Sequence, residues 1–188
     1  KINRSNSNFE RIITSSLTKE LQCGDYSIKK EKIKNIGILG HKILENAAIL
    51  KWNVNIEKEI NKYRNQYNLI EEDTLNLKEK LIDVVNIMMK ETQSSKELIT
   101  EYPFLLKRDD KLIDGVIDLI SISKNKISIY DYKFSNTLPS KLIEEYKNQL
   151  DIYSQAIKNK YNNKEIELYL ISISDKKSEL VKMPILSS

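Results

Sequence analysis

Between residues 36 and 50 the apolar positions Ile36, Leu39, Ile43, Leu44, Ala47 and Ala48 return every three or four residues, which places them on one face of a helix. Gly37 and Gly40 weaken its start, because glycine disfavours helix by about 1 kcal/mol relative to alanine. Residues 56–69 are heavily polar and read as an exposed helix. A second stripe of Leu77, Leu81, Val84, Val85 and Met88 predicts helix over 75–90. Past a polar break at 92–95 the period falls towards two, and strands are expected over 101–107, 112–122 and 126–133. Pro139 stands where a helix can begin, and Leu142, Tyr146, Leu150, Tyr153 and Ile157 carry that helix to about residue 160. Residues 165–174 alternate as a strand, with a last short one over 179–185. The first 32 residues are polar, with Ser and Asn clusters, and read as a linker plus a short helix over 9–21. Helices, three strands, helix, strand is the order of an α+β or α/β-type domain, a small central mixed sheet flanked by helices behind an N-terminal helical region. The expected division is 1–35 as linker or helical segment and 36–188 as the folded domain.

Two of the strands carry residues that strands avoid. Asp118 lies in the first long run, and Asp131 with Lys133 in the second. Aspartate is disfavoured there because its short carboxylate competes for nearby backbone groups. Alternation puts Ile127, Ile129, Asp131 and Lys133 on one face and Ser128, Tyr130 and Tyr132 on the other. In the preceding run the same rule groups Val116, Asp118 and Ile120, with Ile117 and Leu119 opposite. The polar segment 123–126, with Asn125 tolerating a left-handed backbone, suits a hairpin turn. Antiparallel pairing would bring both carboxylates to one end of that hairpin. Two carboxylates form a hard, oxygen-rich site for magnesium or manganese, and a lysine on the same face can hold a water or neutralise a phosphate. Asp109 and Asp110 read as solvated turn residues, and Asp114 shares parity with Asp118 as its rival in register.

Composition narrows the class without defining it. The chain has 188 residues, 40% of them hydrophobic and 31% charged, which suits one globular domain. No run approaches the roughly 20 apolar residues of a membrane span, so no membrane association and a cytoplasmic setting are expected. The single cysteine, Cys23, excludes an internal disulfide and any four-cysteine cluster built by this chain alone. A net charge of +4 permits nucleic-acid binding without arguing for it. The first residue is Lys, so a larger parent protein is expected.

The ordered set Gly115-Val116-Ile117-Asp118, Asp131-Tyr132-Lys133, then Gln149 and Tyr153 on the next helix, resembles the RecB-like exonuclease branch of the PD-(D/E)XK nuclease superfamily. The lone histidine, in Gly37-Ile38-Leu39-Gly40-His41, resembles the Gly-x-x-x-His helix of AddA and RecB nuclease domains, and Glu101 resembles the acidic residue before the first core strand. Ile117 stands where the superfamily's name has a proline.

This resemblance implies a restriction-endonuclease-like core and a magnesium- or manganese-dependent deoxyribonuclease, an exonuclease without an iron–sulfur cluster. Asp118, Asp131 and His41 would be metal ligands, with the backbone carbonyl of Tyr132 a fourth. Lys133 would direct the attacking water, Glu101 would support that water or a second ion, and Gln149 and Tyr153 would approach the DNA backbone or brace the site. The implied setting is double-strand-break repair, with DNA as substrate, a partner subunit, and a helicase motor in the same parent chain. One alternative is a stand-alone or phage nuclease without a motor. The other is a catalytically silent nuclease fold serving as a DNA-binding or assembly module.

Overall fold

The computed structural model describes residues 10–13, 28–158, 160–161 and 163–184. Its elements are β1 (Glu10–Ile13), α1 (Ile28–Ile49), α2 (Ile56–Tyr63), α3 (Glu71–Glu91), β2 (Glu97–Arg108), β3 (Lys111–Ile122), β4 (Lys126–Phe134), α4 (Pro139–Lys158), β5 (Glu165–Ile173) and β6 (Ser178–Met183). The expected α+β class holds: an open mixed sheet lies between helices. β2 pairs antiparallel along the whole of β3, so β1 and β4 must share the other edge of β3 at different levels. β1 runs parallel to Lys111–Asp114, and β4 runs antiparallel to Leu119–Ile122. β5 then adds parallel to β4, with α4 as the crossover, and β6 closes the far side antiparallel to β5.

Alternation along the central strands sorts the core into two layers. Tyr130, Tyr132, Tyr169 and Ile171 pack with Leu39, Ile43 and other residues of α1, α2 and α3 on one face. Ile127, Ile129, Leu168 and Leu170 pack with Leu142, Leu150, Tyr153 and Ile157 of α4 on the other. β4 and β5 are therefore apolar on both faces, as expected of buried strands in a parallel pair. Beside the buried Ser128 and Ser172, Asp131 is the buried charged side chain of these strands, 2% exposed.

Several expectations change. Four residues of the helix expected over 9–21 form β1, because pairing with β3 overrides a weak local pattern; the rest of that segment lies outside the described residues. α1 begins at Ile28, ahead of residue 36, and runs through both glycines, its burial against the sheet outweighing their low propensity. α2 is shorter than expected and is not simply exposed, since Ile56 and Ile60 are buried. β2 starts at Glu97, so Glu101 lies inside the strand rather than before it.

The grouping of Ile120 with Asp118 also fails. Ile117 and Ile120 both face α4, while Leu119 faces the α1–α3 layer, so the alternation of β3 breaks at Asp118. β2 breaks at the same level, with Ile99 and Tyr102 both on the α4 side and Glu101 held at φ 47° between them. The ladder runs Thr100↔Leu119 and then Tyr102↔Ile117, omitting Glu101 and Asp118. One irregular residue in each strand leaves the register unchanged on both sides, and a left-handed backbone in a non-glycine strand residue marks local strain.

One peripheral cluster braces the β4–β5–β6 edge. Glu167 lies 2.6 Å from both Lys126 and Lys182 and accepts a 2.8 Å hydrogen bond from the Tyr169 hydroxyl. Burial works against its ionisation, but these three contacts outweigh it and bring the carboxyl down to about 2. A group depressed in this way stabilises the fold above its ordinary range and loses that contribution as pH falls towards its folded value. Glu167→Gln is expected to lower unfolding stability at pH 7 by about 1–2 kcal/mol, after allowance for the exposed lysines. Urea titrations of both proteins from pH 7 down to 3 should show the difference shrinking below about pH 4.5; a constant difference would contradict it.

Candidate active site

The site forms where β3 and β4 part. Their ladder runs from Ile122↔Ile127 to Leu119↔Tyr130 and stops. One step further the register would place Asp118 opposite Asp131, and β2 brings Glu101 opposite Asp118. Three acids thus occupy one cross-strand row. The strands do not pair at this level. Instead the Asp118 carboxylate accepts the Tyr132 N–H at 2.8 Å, taking the place of a backbone acceptor. On its other side β4 stays paired with β5 through Asp131↔Leu170, Tyr132↔Ile171 and Lys133↔Ser172, so Asp131 and Lys133 are held by a continuous ladder.

His41 reaches this fork from α1. Its Nδ1 lies 3.5 Å from Asp118 Oδ2, and its ring meets Tyr132 edge-on at 5.9 Å and Phe134 at 5.7 Å. The close approach of α1 depends on Gly40. A Cβ there would fall 2.0 Å from Phe134 Cζ, so the glycine lets the helix and the Phe134 ring come this close at the end of β4. Lys133 Nζ is 2.6 Å from Asp131 Oδ2, with its side chain 19% exposed. That carboxylate oxygen is buried and has no aligned hydrogen bond.

The shifts follow the geometry. Burial pushes the Asp131 carboxyl up, with Lys133 opposing and Asp118 adding to the rise. Asp118 is partly buried, its side chain 16% exposed, yet His41, Lys133 and the Tyr132 N–H together hold it below its usual range. Burial alone would lower His41 and Lys133, but the neighbouring carboxylates outweigh it and raise both. Glu101 is raised by partial burial and by the charges of Asp118 and Glu45. Two acids with opposite shifts beside two bases make a nearly balanced buried cluster.

The sequence-derived residues thus separate into groups. Asp118, Asp131, Lys133 and His41 come together, and Glu101 joins them in the same row. Gln149 and Tyr153 are buried, Gln149 Nε2 donating to the Tyr153 hydroxyl at 2.6 Å, which suits a brace rather than an exposed contact. Asp109 and Asp110 lie at the β2–β3 turn as expected, and Asp114 pairs with Leu105 away from the fork. Glu45, Gly40 and Phe134 have no role that sequence reasoning assigned. Glu45 follows His41 by one helical turn and could have been found by that spacing. The Gly40–Phe134 contact joins distant segments and has no local signal.

Whether these residues fit a metal ion turns on their donors. Two carboxylates, one of them buried beside a single ammonium, and an imidazole suit a hard or borderline divalent cation. Among the described residues no three such side chains already converge as a closed binding group. Asp118 is engaged by His41 and Asp131 by Lys133. The donors fit in kind.

The model of the PD-(D/E)XK nuclease superfamily matches residues 20–186, and the chain belongs to that superfamily. It is partly homologous to a particular kind of member. It is 33% identical over 119 residues to an ATP-dependent helicase/nuclease subunit of Streptococcus pneumoniae strain CGSP14, covering 59% of this chain and 10% of that protein. The Exonuclease/helicase subunit RexA of S. pneumoniae serotype 4 is 32% identical over the same length, with the same shares. This chain therefore spans about a tenth of the length of these curated relatives. Among solved structures, SSO0001 aligns over 100% of this chain and 71% of its own, with TM-score 0.42 and 12% identity. Among the described residues no helix is long and apolar enough to cross a membrane.

Filling the space at Gly40 should force either the Phe134 ring or α1 away from β4. Gly40→Ala is expected to destabilise the fold by about 1–3 kcal/mol, the usual cost of overpacking. In a double-mutant cycle by chemical denaturation Gly40→Ala should cost less in the Phe134→Ala background than in the parent; an equal cost in both backgrounds would exclude this contact as the cause.

Proposed function

We propose that this chain is a divalent-metal-dependent DNA exonuclease domain, the nuclease part of a helicase-nuclease that processes double-strand breaks in the cytoplasm. The observation that carries the reading is the fork itself, where Asp118, Asp131, Lys133 and His41 meet within a fold of the nuclease superfamily. A partner subunit and a helicase motor in the same parent protein find support in the names of relatives some ten times longer than this chain, while the repair setting rests on the family resemblance of the motifs.

In this mechanism Asp118, Asp131 and His41 would hold the cation, with the Tyr132 carbonyl as a further oxygen donor. Magnesium or manganese bound there supplies Lewis-acid polarisation of the phosphate and a lowered pKa for water. Lys133 keeps its ammonium at the open end of the pair, where it orients the attacking water and offsets charge gathering on the phosphate. Asp131, by holding that ammonium, fixes its direction. Glu101 accepts a hydrogen bond from the same water or supports a second ion. Surface lysines hold the sugar-phosphate backbone without reading bases, so binding is salt-sensitive and sequence-tolerant.

The test compares the parent chain with Asp131→Ala and Lys133→Ala on end-labelled linear DNA, with magnesium, manganese or chelator. Each variant is expected to lose about 100-fold or more in cleavage while keeping its circular dichroism spectrum. Undiminished cleavage by Asp131→Ala would remove the central assignment. Covalently closed circular DNA should resist an exonuclease, and its rapid cutting would reassign the mode of attack. His41→Ala should chiefly weaken the response to metal, raising the cation concentration for half-maximal activity by about tenfold. An unchanged titration would make His41 a packing residue.

A further inference from the structure

Lys133 extends from the sheet on a flexible four-carbon stem, so something must fix its end group if it is to act at one place. Two groups do so. Asp131 Oδ2 lies 2.6 Å from Nζ, and the ring of Tyr146 lies beneath Nζ with its centroid 4.4 Å away. Tyr146 is half-buried and reaches the ammonium from α4, a different element from the strand that carries the lysine.

Its placement follows from the helix. Leu142, Leu150 and Tyr153, at helical spacing from Tyr146, are buried on the face of α4 that packs against the sheet. The start of α4 is tied to the end of β4 by a short connection. Ser135 N–H donates to the Ile173 carbonyl at 3.0 Å, and Ser135 Oγ both donates to Thr137 Oγ1 at 2.9 Å and accepts the Thr137 N–H at 3.0 Å. Both ends of the Lys133–Tyr146 contact are thus fixed by backbone.

We propose that Tyr146 is a positioning residue whose ring face, not its hydroxyl, steadies the Lys133 ammonium for phosphodiester cleavage. The inference rests on the role given to Lys133 above. An ammonium has three N–H donors and no acceptor. A second carboxylate would consume another donor and bind the lysine too firmly to serve a substrate. An aromatic face attracts the charge through its quadrupole, excludes water from that side and uses no particular N–H. The lysine is steadied between acid and ring with a donor left for the water or the phosphate.

A tyrosine at this position that merely filled the α4 interface would behave differently. The experiment uses the full chain with Tyr146→Phe, Tyr146→Leu and Tyr146→Gln, alone and with Lys133→Ala, on linear DNA with magnesium. Tyr146→Phe is expected to keep kcat within about twofold, while the two non-aromatic variants lose about 10- to 30-fold in kcat with KM little changed. In the Lys133→Ala background the Leu change should add nothing further. Lysine-selective carbon-13 NMR supplies a readout without catalysis. The ε-methylene protons of Lys133, assigned through Lys133→Arg, should be ring-shifted upfield in the parent and in Tyr146→Phe, and should lose that shift in the Leu and Gln variants.

Full kcat in both non-aromatic variants, a loss in Tyr146→Phe as large as theirs, or a further loss in the double variant would overturn the proposal. If the parent cleaves no DNA with any cation, the nuclease reading fails instead. The NMR comparison then still decides Tyr146, because an upfield shift that persists in Tyr146→Leu would overturn its contact with Lys133.

Discussion

The 2.8 Å bond from the Tyr132 N–H to the Asp118 carboxylate is the constraint on which the site depends. Where the β3–β4 ladder ends, a buried N–H needs an acceptor, and leaving it bare would cost about 1–3 kcal/mol. A side chain meets that need. The strands can therefore separate without a backbone penalty, and the gap is what gives His41 access to Asp118. Alternation then carries the effect outwards. With Tyr132 held towards the α1–α3 layer, Asp131 and Lys133 are obliged to point the other way, towards α4, where Tyr146 waits.

The surroundings are rigid where direction matters and irregular where strands must bend. β4 is paired with β5 along its full length, which fixes the chain on either side of Asp131. β2 and β3 each carry one residue out of alternation at the level of the acids, with Glu101 in a left-handed conformation. Because both strands take the irregularity together, the apolar positions on either side stay on their proper faces. Phe134 and Gly40 complete the frame by setting how near α1 can come. A left-handed strand residue and a close helix–ring contact thus frame the same few side chains.

How much of this is legible in the sequence depends on the range of each interaction. Asp131 and Lys133 on one face follow from alternation within a single strand, and the structure agrees. Antiparallel pairing through the 123–126 turn is also local and matches expectation. His41 requires the resemblance, since nothing in α1 alone singles it out. The face of Asp118 departs from expectation because alternation does not carry through a break that exists only in the paired strands. β1 has the local pattern of a helix because its order comes from β3, about a hundred residues away in the chain. Gly40 looks like a weak point in a helix, whereas its use is to admit a ring from β4. Each departure belongs to a contact between segments that periodicity treats separately.

Burial itself bears on whether this fold acts or merely binds. Two carboxylates, an ammonium and an imidazole share a poorly hydrated fork, and removing charges of this kind from water costs several kcal/mol apiece before their mutual attraction is counted. Apolar residues of similar volume would often serve stability as well or better. Asp131 states the point most sharply, since it is 2% exposed and its buried charge is answered by Lys133 at 2.6 Å. A module that only held DNA or a partner would gain nothing from that arrangement. It could bind through surface lysines and keep an apolar centre. A site that must gather a cation, a water and a phosphate needs exposed edges on buried charges, and the parted strands supply them. The physical expense of the fork is therefore an argument for chemistry.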